Sequence, residues 1–196
     1  LEGQMWYNNT TGSLKGRIVS EAWSSGSPTI NEQKQSYGTG IQTASIVAGG
    51  GPTGLAVVEQ YNGSSWTEVA DLSSQRYGLG AAGTSTAAVA FAGRYDPAGN
   101  KNETEVWDGS SWTEVNNLNT ARYGIGQAGH VYTSALCIAG GPPNVAITES
   151  WDGTNWTETG DIPAGTQQGT GFGATSTAAI FAAGETDPGR VSTAYQ

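Results

Sequence analysis

Eleven consecutive residues of this chain are written three times: Glu59-Gln60-Tyr61-Asn62-Gly63-Ser64-Ser65-Trp66-Thr67-Glu68-Val69, Glu105-Val106-Trp107-Asp108-Gly109-Ser110-Ser111-Trp112-Thr113-Glu114-Val115, and Glu149-Ser150-Trp151-Asp152-Gly153-Thr154-Asn155-Trp156-Thr157-Glu158-Thr159. Each copy sets Asn-Gly or Asp-Gly between aromatic and β-branched residues. That dipeptide accepts the positive φ angles of a two-residue hairpin turn, so each copy reads as strand, turn, strand. The closing tryptophans, Trp66, Trp112 and Trp156, recur 46 and then 44 residues apart, a period suited to a four-stranded propeller blade. One such unit cannot bury its own faces, so neighbouring units must stack to make a core.

The remainder of each unit follows a fixed order. A glycine-rich strand comes first (37–41, 77–81, 123–127 and 169–173). A small-residue apolar strand ending in Gly comes second (44–50, 86–93, 134–141 and 177–184), and the Glu-x-aromatic and Trp-Thr strands complete the unit. The order predicts that the first strands converge on a central axis, where only Gly and small side chains allow close backbone approach. The tryptophans of the outer strands then fill the space between blades. Thirty Gly would be costly in helices and suit this arrangement. The predicted fold class is all-β, a β-propeller of four-stranded antiparallel blades over residues 21–196 with an N-terminal β-hairpin over residues 1–20.

Three units are complete, and the fourth has its first two strands and stops at Ala194-Tyr195-Gln196, where the Gly-x-x-Trp-Thr strand is due. Trp23 stands 43 residues before Trp66 and so belongs to an outer strand with no unit of its own. Joining the two ends removes an exposed sheet edge and gives a ring of four blades. The alternative is that the chain is part of a ring with more blades. In the first twenty residues, strand-like sequence flanks Asn9-Thr10-Thr11-Gly12. An isolated hairpin is marginal in water, so Trp6 and Tyr7 are expected to dock it on the first repeat or on another chain.

Charge narrows the partners. Eight Lys plus Arg against seventeen Asp plus Glu leave a net charge of −9 without a basic cluster, which disfavours nucleic acid and anionic membrane surfaces. No apolar run is long enough to span a bilayer as a helix, so membrane insertion is not expected. Cys137, the single cysteine, lies in the apolar run Ala135-Leu136-Cys137-Ile138-Ala139 and reads as a core residue.

The succession of a Gly-Gly-ended strand, Glu-x-Tyr/Trp-Asp/Asn-Gly and Trp-Thr resembles the kelch repeat, over most of the chain. The fuller wording, including Leu-x-x-x-Arg-Tyr-Gly after the Trp-Thr-Glu strand, looks like kelch-like repeats in virion structural and tail-fibre proteins of marine bacteriophages. The opening Glu2-Gly3-Gln4-Met5-Trp6-Tyr7-Asn8-Asn9-Thr10-Thr11-Gly12-Ser13-Leu14-Lys15 is similar to a segment that recurs in such proteins. Arg76 and Arg122 have no counterpart in the fourth unit, which has Gln167-Gln168, and the doubled Gly is reduced to one at Gly93 and Gly184.

The resemblance implies a non-enzymatic structural or adhesive element of a phage particle, on the virion or extracellular. Its partners would be other virion proteins, copies of itself, or a host cell-surface glycan. A carbohydrate-binding module and an intracellular protein-interaction scaffold are the alternatives. Copper-radical oxidases share the kelch fold but need two histidines, and His130 is the only one here.

Little else in the sequence points to chemistry, and no cofactor or metal is expected. Gly78-Leu79-Gly80-Ala81-Ala82-Gly83 and Gly124-Ile125-Gly126-Gln127-Ala128-Gly129 match a dinucleotide fingerprint by letter, but strand-forming residues follow where a helix is required. Asp96-Pro97-Ala98-Gly99 and Asp187-Pro188-Gly189 are turn formers without the alternating oxygens of a calcium loop. The repeated Glu59, Glu105 and Glu149 suit solvated or cross-strand roles. The best recognition candidates are Arg76-Tyr77 and Arg122-Tyr123, placed before the inner strands at one mouth of the channel, where Tyr and Arg could stack on and bond a sugar. The same residues could instead be structural, with Arg paired to a neighbouring blade's Glu and Tyr filling the space between blades.

Overall fold

The computed structural model describes residues 5–8, 13–16, 26–187 and 189–196, and every regular element among them is a β-strand. Four antiparallel sheets form the blades of a four-bladed β-propeller. The first blade runs Tyr37–Ile41, Ala44–Ala48, Val58–Tyr61, Trp66–Glu68 from axis to rim, and the second Gly80–Gly83, Ala88–Phe91, Thr104–Trp107, Trp112–Glu114. The third is Gly126–Val131, Ser134–Ile138, Thr148–Trp151, Trp156–Glu158. The fourth has three strands among the described residues, Thr170–Thr175, Ala178–Ala182 and Ala194–Tyr195. Thus Ala194 and Tyr195 begin the third strand, where the sequence reading placed the onset of the fourth. Trp23, expected to complete this blade, lies outside the described residues. In the N-terminal hairpin Met5–Asn8 pairs with Ser13–Gly16.

The hairpins form where expected, but with four-residue loops rather than two-residue turns: Tyr61 pairs with Trp66, Trp107 with Trp112 and Trp151 with Trp156, and of each Asn-Gly or Asp-Gly only the glycine has positive φ. Gly63, Gly109 and Gly153 have φ of 95°, 98° and 95°, and the preceding Asn62, Asp108 or Asp152 carboxyl or amide oxygen accepts the N–H groups two and three residues on. These turn contacts hold the Asp108 carboxyl down at about 2, the Ser111 backbone N–H contributing most.

Glycine also sets the approach to the axis. A Cβ on Gly171 would lie 2.4 Å from the Gln127 carbonyl oxygen, so these two inner strands can pass only with hydrogen there. The Thr39 hydroxyl donates to the Gly83 carbonyl at 2.7 Å, joining the first and second blades near the axis.

The inner-strand register differs from the sequence reading. Cross-strand pairs Tyr37↔Ala48, Gly80↔Phe91, Gly126↔Ile138 and Thr170↔Ala182 occupy the same place in their blades. Tyr37 is therefore the counterpart of Gly80, not of Tyr77. Lys34-Gln35 stands where the later blades have Tyr77-Gly78, Tyr123-Gly124 and Gln167-Gln168. Gln35, Gly78, Gly124 and Gln168 share φ of 55–61°. Backbone N–H groups link them in sequence: Gly78 to the Gln35 carbonyl at 2.9 Å, Gly124 to Gly78 at 2.9 Å, and Gln168 to Gly124 at 2.6 Å. The Gly-x-Gly spacing occurs at both places, so letters alone align the wrong pair.

The second and third blades each turn one face to the blade before and one to the blade after. Ile46, Ala48 and Val58 pack on Ala88, Ala90 and Trp107; Val89 and Phe91 pack on Ala135, Cys137, Trp151 and Trp156; Leu136 and Ile138 pack on Phe181 with Tyr195 alongside. The deepest fillers are the third-strand Trp107 and Trp151, each 1% exposed, whereas Trp66 and Trp112 of the outer strands are half-buried. Gly50, Gly93 and Gly140 N–H groups each reach across to the next blade's lead-in, at Arg76, Arg122 and Thr166. No equivalent bond joins the fourth blade to the first among the described residues, and Phe172 and Ile180 are exposed on the side facing that seam.

Candidate functional site

The expected recognition residues separate into two environments. Arg76 is fully buried: one guanidinium N–H donates to Glu105 at 2.6 Å and another to the Glu103 carbonyl at 2.7 Å. Arg122, 1% exposed, donates to Glu149 at 2.7 Å and to the Cys137 carbonyl at 3.1 Å. In each case the glutamate belongs to the blade that the arginine leads into, rather than to a neighbouring blade. Neither guanidinium is open to a ligand from solution.

The three repeated glutamates are 0% exposed, which corrects their expected solvated role. Each clamps the segment that leads into its own blade. Glu149 accepts from the Asn119 N–H at 2.8 Å, the Asn119 side-chain amide at 2.9 Å and the Thr120 N–H at 3.3 Å, in addition to Arg122. Glu105 accepts from the Ser73 N–H at 2.8 Å, and Glu59 from the Ile30 and Asn31 N–H groups at 2.8 and 2.9 Å. In the first blade Gln33 replaces arginine, its amide 3.5 Å from Glu59. In the fourth, Thr166 and Tyr195 take the two positions, and the buried Phe181 pairs with Tyr195 across the strands. Such buried ion pairs specify geometry more than they add net stability.

Tyr77 and Tyr123 meet at the channel mouth. Their rings lie 5.6 Å apart at 74°, an edge-to-face contact. The Tyr77 hydroxyl donates to Asp96 at 2.8 Å, Arg94 Nε donates to the other Asp96 oxygen at 2.8 Å, and the Arg94 guanidinium stands 5.5 Å over the Tyr123 ring. Arg94 also reaches Asn100 at 3.3 Å, and the Asn100 amide donates to the Pro142 carbonyl at 3.2 Å on the third blade. Burial, then the bond to Asp96, raises the Tyr77 pKa; the bonds from Tyr77 and Arg94 lower that of Asp96.

Arg94, Asp96 and Asn100 escaped the sequence reading as site residues. They lie on a small hairpin, Arg94–Tyr95 with Gly99–Asn100, that the second and fourth blades carry and the first and third lack. The signal was there: this insertion breaks the repeat. Both Asp96 oxygens are occupied by protein donors, and among the described residues no group of three or more His, Cys, Asp or Glu is placed to hold a metal ion. Cys137 is fully buried and its thiol pushed up to about 11 by burial, so it is a poor nucleophile. His130 lines the axial channel together with inner-strand residues of all four blades. Trp6 and Tyr7 stand opposite Lys15 and Leu14 in the N-terminal hairpin.

Searches of protein-family models and of characterised proteins found no match to this chain.

Proposed function

We propose that the protein is a non-enzymatic, loop-presenting propeller and a structural or adhesive component of a phage particle. One observation carries the non-catalytic part. The Arg76–Glu105 and Arg122–Glu149 pairs and the equivalent Glu59 are buried against each other or against backbone amides, and the other recurring carboxylates, Glu68, Glu114 and Glu158, lie exposed on the outer strands without converging on a shared site, so the repeat places its buried charge in architecture. What differs from blade to blade is the loops and hairpins at the mouth, which is where a rigid scaffold displays recognition surfaces. The propeller fold suits binding of this kind; the phage setting is supported by the kelch-like wording of the repeats and by the opening segment. In that setting the first twenty residues attach the propeller to a neighbouring virion protein or to another copy of itself. Cross-linking and electron microscopy of purified particles test it: the protein should be found attached, and its presence solely as free monomer would refute the assignment.

A second reading is favoured by the Arg94–Asp96–Asn100 cluster. With Tyr123 it offers a partly exposed set of donors, acceptors and an aromatic face, the chemistry of a sugar site. Glycan-array binding that Arg94→Ala and Tyr123→Ala abolish would support it, and binding unchanged by both would exclude this mouth.

A further inference from the structure

The hairpin loops of the first and second blades are the same four residues with one exchange, Asn62-Gly63-Ser64-Ser65 against Asp108-Gly109-Ser110-Ser111. Their glycines have φ of 95° and 98°, and one side-chain oxygen of the leading residue accepts the same three donors in both. In the second blade Asp108 Oδ1 accepts from the Ser110 N–H, the Ser110 hydroxyl and the Ser111 N–H, each at 2.8 Å. In the first, Asn62 Oδ1 accepts from the Ser64 N–H at 2.9 Å, the Ser64 hydroxyl at 2.8 Å and the Ser65 N–H at 3.0 Å. The loop is a cradle for a carboxylate, and in the first blade it holds an amide. That amide is exposed, and the next nitrogen along the chain belongs to a glycine whose N–H has no acceptor among the described residues. Asn62 is the only asparagine in the sequence that glycine follows.

We propose that Asn62 is a self-modifying position, converted to aspartate within its own loop. The Gly63 nitrogen, giving up its proton to hydroxide, bonds to Asn62 Cγ; the Cγ–Nδ2 bond breaks, ammonia leaves, and a five-membered imide closes. Water then opens the ring, and no electron is gained or lost. Glycine puts no side chain in the way of this approach and leaves the backbone free to adopt it. Negative charge develops on Oδ1 as Cγ is attacked, and the three donors already on that oxygen stabilise it as an oxyanion hole does. Asn62 Nδ2 donates to the Ser65 hydroxyl at 3.3 Å, which is placed to return a proton to the departing ammonia. Ring opening at Cγ puts the charge on Oδ1 again and yields aspartate, whereas opening at the backbone carbonyl yields isoaspartate, so the cradle favours aspartate. Aspartate also keeps the Ser64 carbonyl where the Ser27 hydroxyl meets it at 2.6 Å; isoaspartate, with the chain rerouted through Cβ, would displace it. The Asp-Gly loops do not cyclise in this way, because an ionised carboxylate is a poor electrophile and the Asp108 carboxyl is held down at about 2.

Prolonged incubation of the natural chain at mildly alkaline pH, folded and in urea, tests the proposal. Peptide mass spectrometry with electron-transfer fragmentation reads the site and the isomer. In the folded chain Asn62 converts at least as fast as in urea and chiefly to aspartate; in urea, without the cradle, isoaspartate predominates. Ser64→Ala removes the hydroxyl donor, slowing conversion in the folded chain about three- to tenfold while leaving the rate in urea unaltered. Slower conversion in the folded chain than in urea, a folded product that is chiefly isoaspartate, or equal folded rates for Ser64→Ala and the natural chain overturns the proposal. Asn62→Asp supplies the product directly: a Tm at or above that of the natural chain supports the assignment, since charge-assisted bonds replace neutral ones, and a lower Tm overturns it.

Discussion

Removing Glu149 should be far more damaging than removing the arginine it binds. In Glu149→Ala, Arg122 keeps its charge while 1% exposed and retains only the Cys137 carbonyl, and the Asn119 and Thr120 N–H groups lose their acceptor. Breaking a buried pair from one side costs about 3–5 kcal/mol, and each stranded backbone donor about 1–3 kcal/mol more before the site relaxes. A domain of this kind holds about 5–15 kcal/mol in all, so the variant should be close to unfolded at room temperature. Arg122→Gln should cost only about 1–2 kcal/mol, because Glu149 keeps its backbone donors and gains an amide partner, the arrangement that Gln33 and Glu59 already show in the first blade. Urea unfolding followed by circular dichroism measures both, with the buried Cys137 thiol as an independent reporter whose labelling should accelerate in Glu149→Ala. Refutation would be a Glu149→Ala loss below about 1 kcal/mol, or an Arg122→Gln loss as large as that of Glu149→Ala.

Other consequences can be checked in the same assays. Gly171→Ala should destabilise by about 2 kcal/mol or more, since its methyl would meet the Gln127 backbone at 2.4 Å; an unchanged midpoint would show that the inner strands do not pass that closely. Gln168→Gly should raise stability by up to about 1 kcal/mol, because Gln168 holds a φ of 57° where two other blades use glycine. The Tyr77–Asp96 bond gives a pH window. The raised Tyr77 pKa makes its contribution complete below the ordinary 10.0 and lost as pH climbs through the folded value. The lowered Asp96 pKa makes its contribution complete above the ordinary 3.8 and lost as pH falls through its own folded value. Tyr77→Phe should flatten the alkaline limb, and an identical alkaline limb in both proteins would contradict the assignment.

By itself the sequence determined the blade. Asn-Gly and Asp-Gly fix their turns locally, alternation fixes the strands that flank them, and the period of the tryptophans makes the units stack; none of these depends on a distant residue. The N-terminal hairpin was legible for the same reason. What the tertiary structure decided is where the repeats touch one another. Tyr77-Gly78 and Tyr37-Gly38 look alike as letters, yet only cross-strand pairing shows the first to be a lead-in with left-handed backbone and the second an inner strand. Glu105 and Glu149 are charged residues at regular spacing, which reads as a wet surface until the arginine 27 or 29 residues earlier folds over them and removes both charges from water. The unpaired Thr148 hydroxyl is the sharpest case. Threonine is ordinary in a strand, and its lack of a partner is a property of a groove formed by two blades, which no pattern along the chain could have marked.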